Sequence, residues 1–244
     1  MNKTIKTFAL LSVILVAFSC NNMQEQQTDT TTTAEVEKVG DVITKSEQAA
    51  LTPDDVIQIL REGNERYVND NLTNRDYMQQ VSNAVEGQFP EAIILSCVDS
   101  RVPVEYVFDK GIGDIFVARV AGNFVNEDIL GSMEFATKVS GSKLVLVLGH
   151  EHCGAVKAAI DDVELGNITP MLSKIRPSVE AVDYDGDRTS ENEEFVHMVC
   201  ETNVERTIEQ IRKDSPIMAE MEENGEIKIV GGIYDLDTGE VTFL

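Results

Sequence analysis

Two short stretches of this chain carry side chains suited to metal chemistry. Cys97, Asp99 and Arg101 lie in Ile-Ile-Leu-Ser-Cys-Val-Asp-Ser-Arg, and about fifty residues later His150 and Cys153 lie in Gly-His-Glu-His-Cys-Gly. Two thiolates and one imidazole can hold zinc and leave its fourth position free, which a catalytic site needs and a structural site does not. The His-x-x-Cys pair alone is a weak signal. With Cys97 at the end of a separate apolar run it becomes a strong one. The competing readings are a redox cysteine pair and a closed zinc site, for which Asp99, His152 and Cys200 are the available fourth ligands. Asp99 lies two residues from Cys97 and Arg101 two further, so in an extended segment the three side chains point to one side. A guanidinium beside the Asp99 carboxylate holds it ionised and draws it off the metal, which opens a position for water.

The elements that must position these residues are legible from the apolar pattern. Short apolar runs at Ala92 to Ser96, Ile115 to Val120, Leu144 to Leu148 and Ile227 to Ile233 read as buried strands. After the turn Asp237-Thr238-Gly239 a last strand, Val241 to Leu244, is expected to pair antiparallel with the fourth. Glu127 to Val139 reads as an amphipathic helix through Ile129, Leu130, Met133, Phe135, Ala136 and Val139. Thr52-Pro53-Asp54-Asp55 supplies an N-cap, a proline at the first helical position and acids in the first turn, opening a helix to about Val68. Further helices are expected from Cys153 to about Glu164, from Ser190 to Lys213, and after Pro216. Strands alternating with helices imply an α/β fold: a mainly parallel β-sheet with a C-terminal antiparallel edge strand, flanked by helices. Ligands in such folds gather at the carboxyl ends of strands, where Cys97 and His150 both fall.

The 244 residues are enough for one enzyme-sized domain, and 42% hydrophobic content is too high for a disordered chain. A net charge of −23 argues against nucleic acid as a partner of the general surface. The acid-rich stretches Asp183 to Glu194 and Glu220 to Glu226 read as solvated surface.

Residues 1–19 read as a signal peptide, with Lys3 and Lys6 ahead of the apolar run Phe8 to Phe18. Val16-Ala17-Phe18-Ser19-Cys20 then resembles a bacterial lipobox, with Ala17 and Phe18 departing from its strictest pattern. It implies lipid on Cys20 and a lipoprotein in the bacterial cell envelope, periplasmic and lipid-anchored to a membrane. Removing 1–19 leaves 18 basic residues against 43 acidic, a net charge of −25. Attachment therefore rests on the acyl chains on Cys20 and not on a basic face. Residues 20–45, rich in Thr and Gln, read as a flexible tether, and 46–244 as the catalytic domain. The four cysteines divide as Cys20 to lipid, Cys97 and Cys153 to metal, and Cys200 to the buried face of a helix as a small hydrophobe.

Cys-x-Asp-x-Arg at 97–101 and His-x-x-Cys at 150–153 together resemble the β-class carbonic anhydrases, over roughly residues 52–244. The resemblance implies one Zn2+ per chain on Cys97, His150 and Cys153, a catalytic dyad of Asp99 and Arg101, and Gly154 as the glycine following the last ligand. Gln88, Phe116, Phe135 and Gly154 then fall at substrate-pocket positions, with Phe135 where a tyrosine is frequent. Arg119-Val120-Ala121-Gly122-Asn123 is similar to the family's Arg-Asn-Ala-Gly-Asn stretch. Members with an inhibitory bicarbonate site carry Trp three residues before the first cysteine; here that position is Ile94, so the plant-like type without that site is expected, with zinc open at neutral pH.

The activity implied is reversible hydration of CO2 to bicarbonate and a proton by attack of zinc-bound hydroxide, with Asp99 orienting the hydroxide and Arg101 keeping Asp99 ionised. At least a homodimer, or a tetramer, is implied, because Gln88 reaches the pocket across subunits. His152 reads as an exposed bystander more than a proton shuttle, and His197 as a satisfied helix residue. The rivals are hydrolysis of carbon disulfide or carbonyl sulfide at the same kind of site, and a non-catalytic zinc lipoprotein.

Overall fold

A computed structural model describes residues 39–244. The expected signal peptide, Cys20 and the tether up to residue 38 lie outside the described residues. The remaining part of the expected tether is built into the fold. Val39 bridges to Arg75, its amide donating to the Asn74 carbonyl at 2.8 Å, and the Asp76 amide donates back to the Val39 carbonyl at 3.0 Å. Thr44 then opens α1 (Lys45–Ala50) with a reciprocal cap to Glu47. The Thr/Gln-rich composition that suggests a tether has ended by this point in the chain.

Helix α2 (Pro53–Val68) begins at the Thr52 cap, with Pro53 at its first position. It is followed by α3 (Tyr77–Asn83), β1 (Ala92–Ser96), α4 (Val104–Val107), β2 (Ile115–Arg119), α5 (Glu127–Glu134) and β3 (Leu144–His150). Next come α6 (Gly154–Ile160), α7 (Ile168–Leu172), α8 (Arg176–Ala181), α9 (Glu193–Asp214), α10 (Pro216–Glu223), β4 (Lys228–Tyr234) and β5 (Val241–Phe243). The short helices α1, α3, α4, α7 and α8 leave too brief a periodic pattern to be read from sequence. Helix α6 is shorter than the reading to Glu164, because the chain turns at Asp161 and Asp162 takes a left-handed φ of 53°.

The sheet order is β2-β1-β3-β4-β5, parallel except for the β4–β5 edge pair. Alternation along each strand splits the core in two. Ile93, Leu95, Val145, Val147, Ile229 and Ile233 face α5, α6, α9 and α10, whereas Ala92, Ile94, Leu144, Leu146 and Leu148 face α2 and α4. Every residue of β1 and β3 is buried, as unbroken apolar runs require when helices cover both faces. Helix α9 approaches the sheet closely. A Cβ on Gly149 or on Gly231 would stand 2.7 Å from a methyl of Val204.

The helix expected over Glu127–Val139 changes character halfway. It is α-helical to Glu134 and a π-turn from Phe135 to Val139. The added residue per turn rotates the apolar stripe, burying Ala136 and Thr137 and leaving Phe135 at 51% and Val139 at 72% exposure. The period of 3.6 that places all six apolar residues on one face therefore holds only as far as Met133.

Candidate metal centre

The chain runs out along β1 to β2 at one side of the sheet and returns to β3 on the other side of β1. Adjacent strands β1 and β3 thus lead their loops apart, and their carboxyl ends frame a crevice. Cys97 follows β1 directly, His150 is the last residue of β3, and Cys153 caps α6 with an extended ψ of 116°. All three are buried. The Cys97 and Cys153 sulfurs and a ring nitrogen of His150 lie within 4.8 Å of one another.

The protonation pattern fits a cation. His150 Nδ1 stands 2.8 Å from the Glu151 carbonyl, which can only accept, so Nδ1 carries the proton and Nε2 presents a lone pair. That Nε2 is buried without a hydrogen-bond partner, a state that costs about 1–3 kcal/mol unless something engages it. The Cys153 thiol beside Cys97 is the largest influence lowering the Cys97 pKa, against burial, with help from His150 and from the Gly122 amide at 3.4 Å. Cys97 in turn, with burial, pushes the Cys153 thiol up. Two adjacent buried thiols resist carrying two negative charges, and a bound cation would relieve that repulsion. Two sulfurs and one imidazole are a zinc donor set.

Asp99 sits beside this group, its Oδ2 3.9 Å from His150 Nε2. Arg101 grips it three ways: its amide donates to Oδ1 at 2.9 Å, Nε to Oδ1 at 3.0 Å, and Nη2 to Oδ2 at 2.8 Å. The guanidinium bond holds the carboxyl down at about 2. Arg101 Nη2 also approaches the His152 carbonyl at 3.5 Å.

The loop bearing Cys97 is clamped from β2. Arg119 donates to the Cys97 carbonyl at 2.9 Å and to the Val102 carbonyl at 2.7 Å. Gly122, at φ 81°, has no room for a Cβ, which would stand 2.3 Å from Ile175 Cδ1. Its carbonyl accepts from Asn203 Nδ2 at 2.9 Å, and Ser178 Oγ donates to Asn203 Oδ1 at 3.1 Å. Sequence reasoning missed Asn203 and Ser178 altogether. The one trace of the first is an asparagine on the buried stripe of α9, between Cys200 and Val204.

The other expected residues fall in several places. Cys200 is buried on α9, and burial pushes its thiol up to about 12. His197 stands 3.3 Å from both Glu151 and Glu201. Gly154 opens α6, where an added Cβ would meet nothing within 4 Å. Asp99 lines an open cleft of about 640 Å³ with Val98, Tyr106, Ile112 and Arg119. Phe116 and Phe135 are not in it. They meet edge to face at 6.2 Å in a separate concavity along β2, and Gln88 is exposed. One chain therefore brings together Cys97, His150 and Cys153, which could hold a metal, with Asp99 and Arg101 beside them, but not the expected pocket wall.

Fold and site together define an α/β metalloenzyme whose two-thiolate, one-imidazole centre is flanked by an arginine-held carboxylate. The family description "Carbonic anhydrase" matches residues 92–241. Carbonic anhydrase 2 of Mycobacterium tuberculosis is 38% identical over 192 residues, covering 74% of this chain and 87% of that protein. Among solved structures, the Coccomyxa β-carbonic anhydrase in complex with acetazolamide superposes with a TM-score of 0.61 at 24% identity, covering 78% of this chain and 85% of that one. A structure from a study of two tetrameric β-carbonic anhydrases of Sordaria macrospora gives 0.59 at 23%, covering 67% and 85%. The chain belongs to the carbonic anhydrase family and has the fold of the solved β-carbonic anhydrases. It is a zinc-dependent enzyme that hydrates CO2 reversibly to bicarbonate and a proton.

Proposed function

We propose that Cys97, His150 and Cys153 hold the zinc, with Asp99 and Arg101 acting as the orienting dyad beside it. The observation that carries this reading is the buried, unpartnered Nε2 of His150 in a cluster with the Cys97 and Cys153 sulfurs, all within 4.8 Å of one another. Zinc, when bound, supplies the Lewis acidity that brings the pKa of water to about 7. The chain's own groups do the rest. Asp99, ionised far below neutrality, accepts the O–H of the attacking water at Oδ2, so that an oxygen lone pair faces CO2. Arg101 keeps that carboxylate ionised and fixes its direction through paired bonds to both oxygens. Arg119 and Gly122 hold the backbone and sulfur of Cys97 in place.

The pocket wall is completed by a second copy of the chain. Gln88, Phe116 and Phe135 sit apart from the metal group within one chain, and Tyr77, Met78, Val81, Val85, Phe135 and Val139 form exposed apolar surface. Exposed apolar side chains of this kind are commonly covered on assembly. The tetrameric Sordaria relatives agree with an oligomer. Sedimentation of the purified enzyme as a monomer at micromolar concentration would remove this part of the reading. Localisation rests on the sequence: the signal peptide and Cys20 point to a lipoprotein of the bacterial envelope, facing the periplasm. Metabolic labelling with a palmitate analogue, lost in Cys20→Ala, checks it.

The primary test is stopped-flow CO2 hydration with zinc determined on the same sample. Fast hydration that disappears on zinc removal is expected. About one zinc per chain with no hydration between pH 6 and 9 would shift the reading to carbon disulfide or carbonyl sulfide as substrate.

A further inference from the structure

A second group of ligating side chains stands where the β3–α6 loop meets the β4–β5 turn. Strands β3 and β4 pair in parallel as far as His150 opposite Tyr234, so both segments leave the sheet side by side. The Glu151 amide then donates to the Tyr234 carbonyl at 3.0 Å. This brings ligand atoms of Glu151, His152 and Asp237 within 4.8 Å of one another.

Several features set this group apart from an ordinary acidic surface. It contains an imidazole, and neither the His152 ring nor the Asp237 carboxylate makes a hydrogen bond among the described residues. The turn does not need Asp237 for its closure, because Asp235 Oδ1 takes the amides of Asp237 at 2.6 Å and Thr238 at 3.2 Å. His152 is held at φ 50°, a left-handed conformation that a non-glycine residue rarely adopts. The Glu151 carboxylate pairs with His197 at 3.3 Å, whose far nitrogen faces Glu201 at 3.3 Å. The group sets two carboxylates beside one imidazole, with the Arg101 guanidinium 3.5 Å from the His152 carbonyl as a positive charge nearby.

We propose that Glu151, His152 and Asp237 form a second, exchangeable site for a divalent first-row transition metal. One imidazole and two carboxylates suit Zn2+, Co2+ or Ni2+ with water in the open positions. Mg2+ and Ca2+ prefer all-oxygen sets. The site shares no ligand with the Cys97–His150–Cys153 centre and does not depend on its assignment. It abuts the dyad, since the His152 carbonyl faces Arg101 Nη2.

The test is metal titration of the zinc-loaded enzyme after gel filtration, with the retained zinc measured separately. Calorimetry should show one further Zn2+ per chain, weakened at least tenfold by His152→Ala and by Asp237→Asn while the retained zinc is unchanged, and not displaced by millimolar Mg2+. The chain has three histidines, so their ring signals are separable by NMR. Ni2+ should broaden His152 before His197. Absence of a further equivalent, equal binding by both variants, or broadening of His197 without His152 would each overturn the proposal.

Discussion

Asp99 and Asp109 are both aspartates gripped by arginine, and they serve opposite purposes. The Asp109 side chain is 1% exposed and saturated: Arg66 Nε meets Oδ2 at 2.5 Å, Thr73 Oγ donates to Oδ2 at 2.7 Å, and Arg75 pairs with Oδ1. Its partners come from the segment between α2 and α3 and from the end of α2, so it ties the N-terminal helices to the end of α4. Asp99 has one partner side chain, Arg101, which is 55% exposed and two residues away. That grip fixes the carboxylate without exhausting it, and lone-pair directions remain toward His150. A saturated ion pair holds structure; a carboxylate held from one side can still receive a proton donor.

The largest effect that would sharpen this contrast is expected from Asp109→Ala. It leaves the nearly buried Arg75 unpaired and should destabilise the fold by about 3–5 kcal/mol, read by denaturant unfolding, with activity per folded molecule unchanged. Asp99→Asn should do the reverse. It keeps zinc content and moves the unfolding midpoint far less than Asp109→Ala, but lowers hydration about a hundredfold by stopped-flow, and full activity with zinc bound would sink its assigned role.

The pH response should separate the pair next. Burial alone would raise the Asp109 pKa, but bonds from Arg66, Arg75 and Thr73 outweigh it and lower the value; Asp99 is lowered to about 2. Depressed folded values mean stability that is fully present above the unfolded value of about 3.9 and lost as pH falls through the folded ones. Asp109→Asn should therefore flatten the fall in unfolding midpoint below about pH 4. Asp99→Asn should flatten it less, because its pair is more open to solvent. The smallest effect belongs to Arg66→Ala. Arg66 is 36% exposed, and Arg75 and Thr73 still hold Asp109, so about 1 kcal/mol or less is expected from the same unfolding measurement.

Much of the scaffold was legible because local chemistry and tertiary context agree. Thr52-Pro53 marks the start of α2, and the apolar runs at 92–96 and 144–148 read as strands covered on both faces, the second continuing in the structure to His150. The Phe135–Val139 π-turn was not legible, since the apolar residues of that segment satisfy a regular helix equally well. Arg119 was recognised as part of a motif, but its grip on the Cys97 and Val102 carbonyls depends on β2 lying beside β1.

The sequence by itself determined the donor set: two thiolates, an imidazole, and a carboxylate with its arginine two residues away. Residue type and short spacing decide what chemistry is available and which neighbour can hold Asp99. Only the tertiary structure decided the placements that depend on long-range pairing. The strand order sets Cys97 beside His150, Asn203 of α9 supports Gly122, and Phe116 and Phe135 lie on a surface apart from the metal group. The parallel register of β3 and β4 likewise carries Asp237 to Glu151 and His152. Such encounters are fixed by how the sheet closes its core, and no local pattern of residues records them.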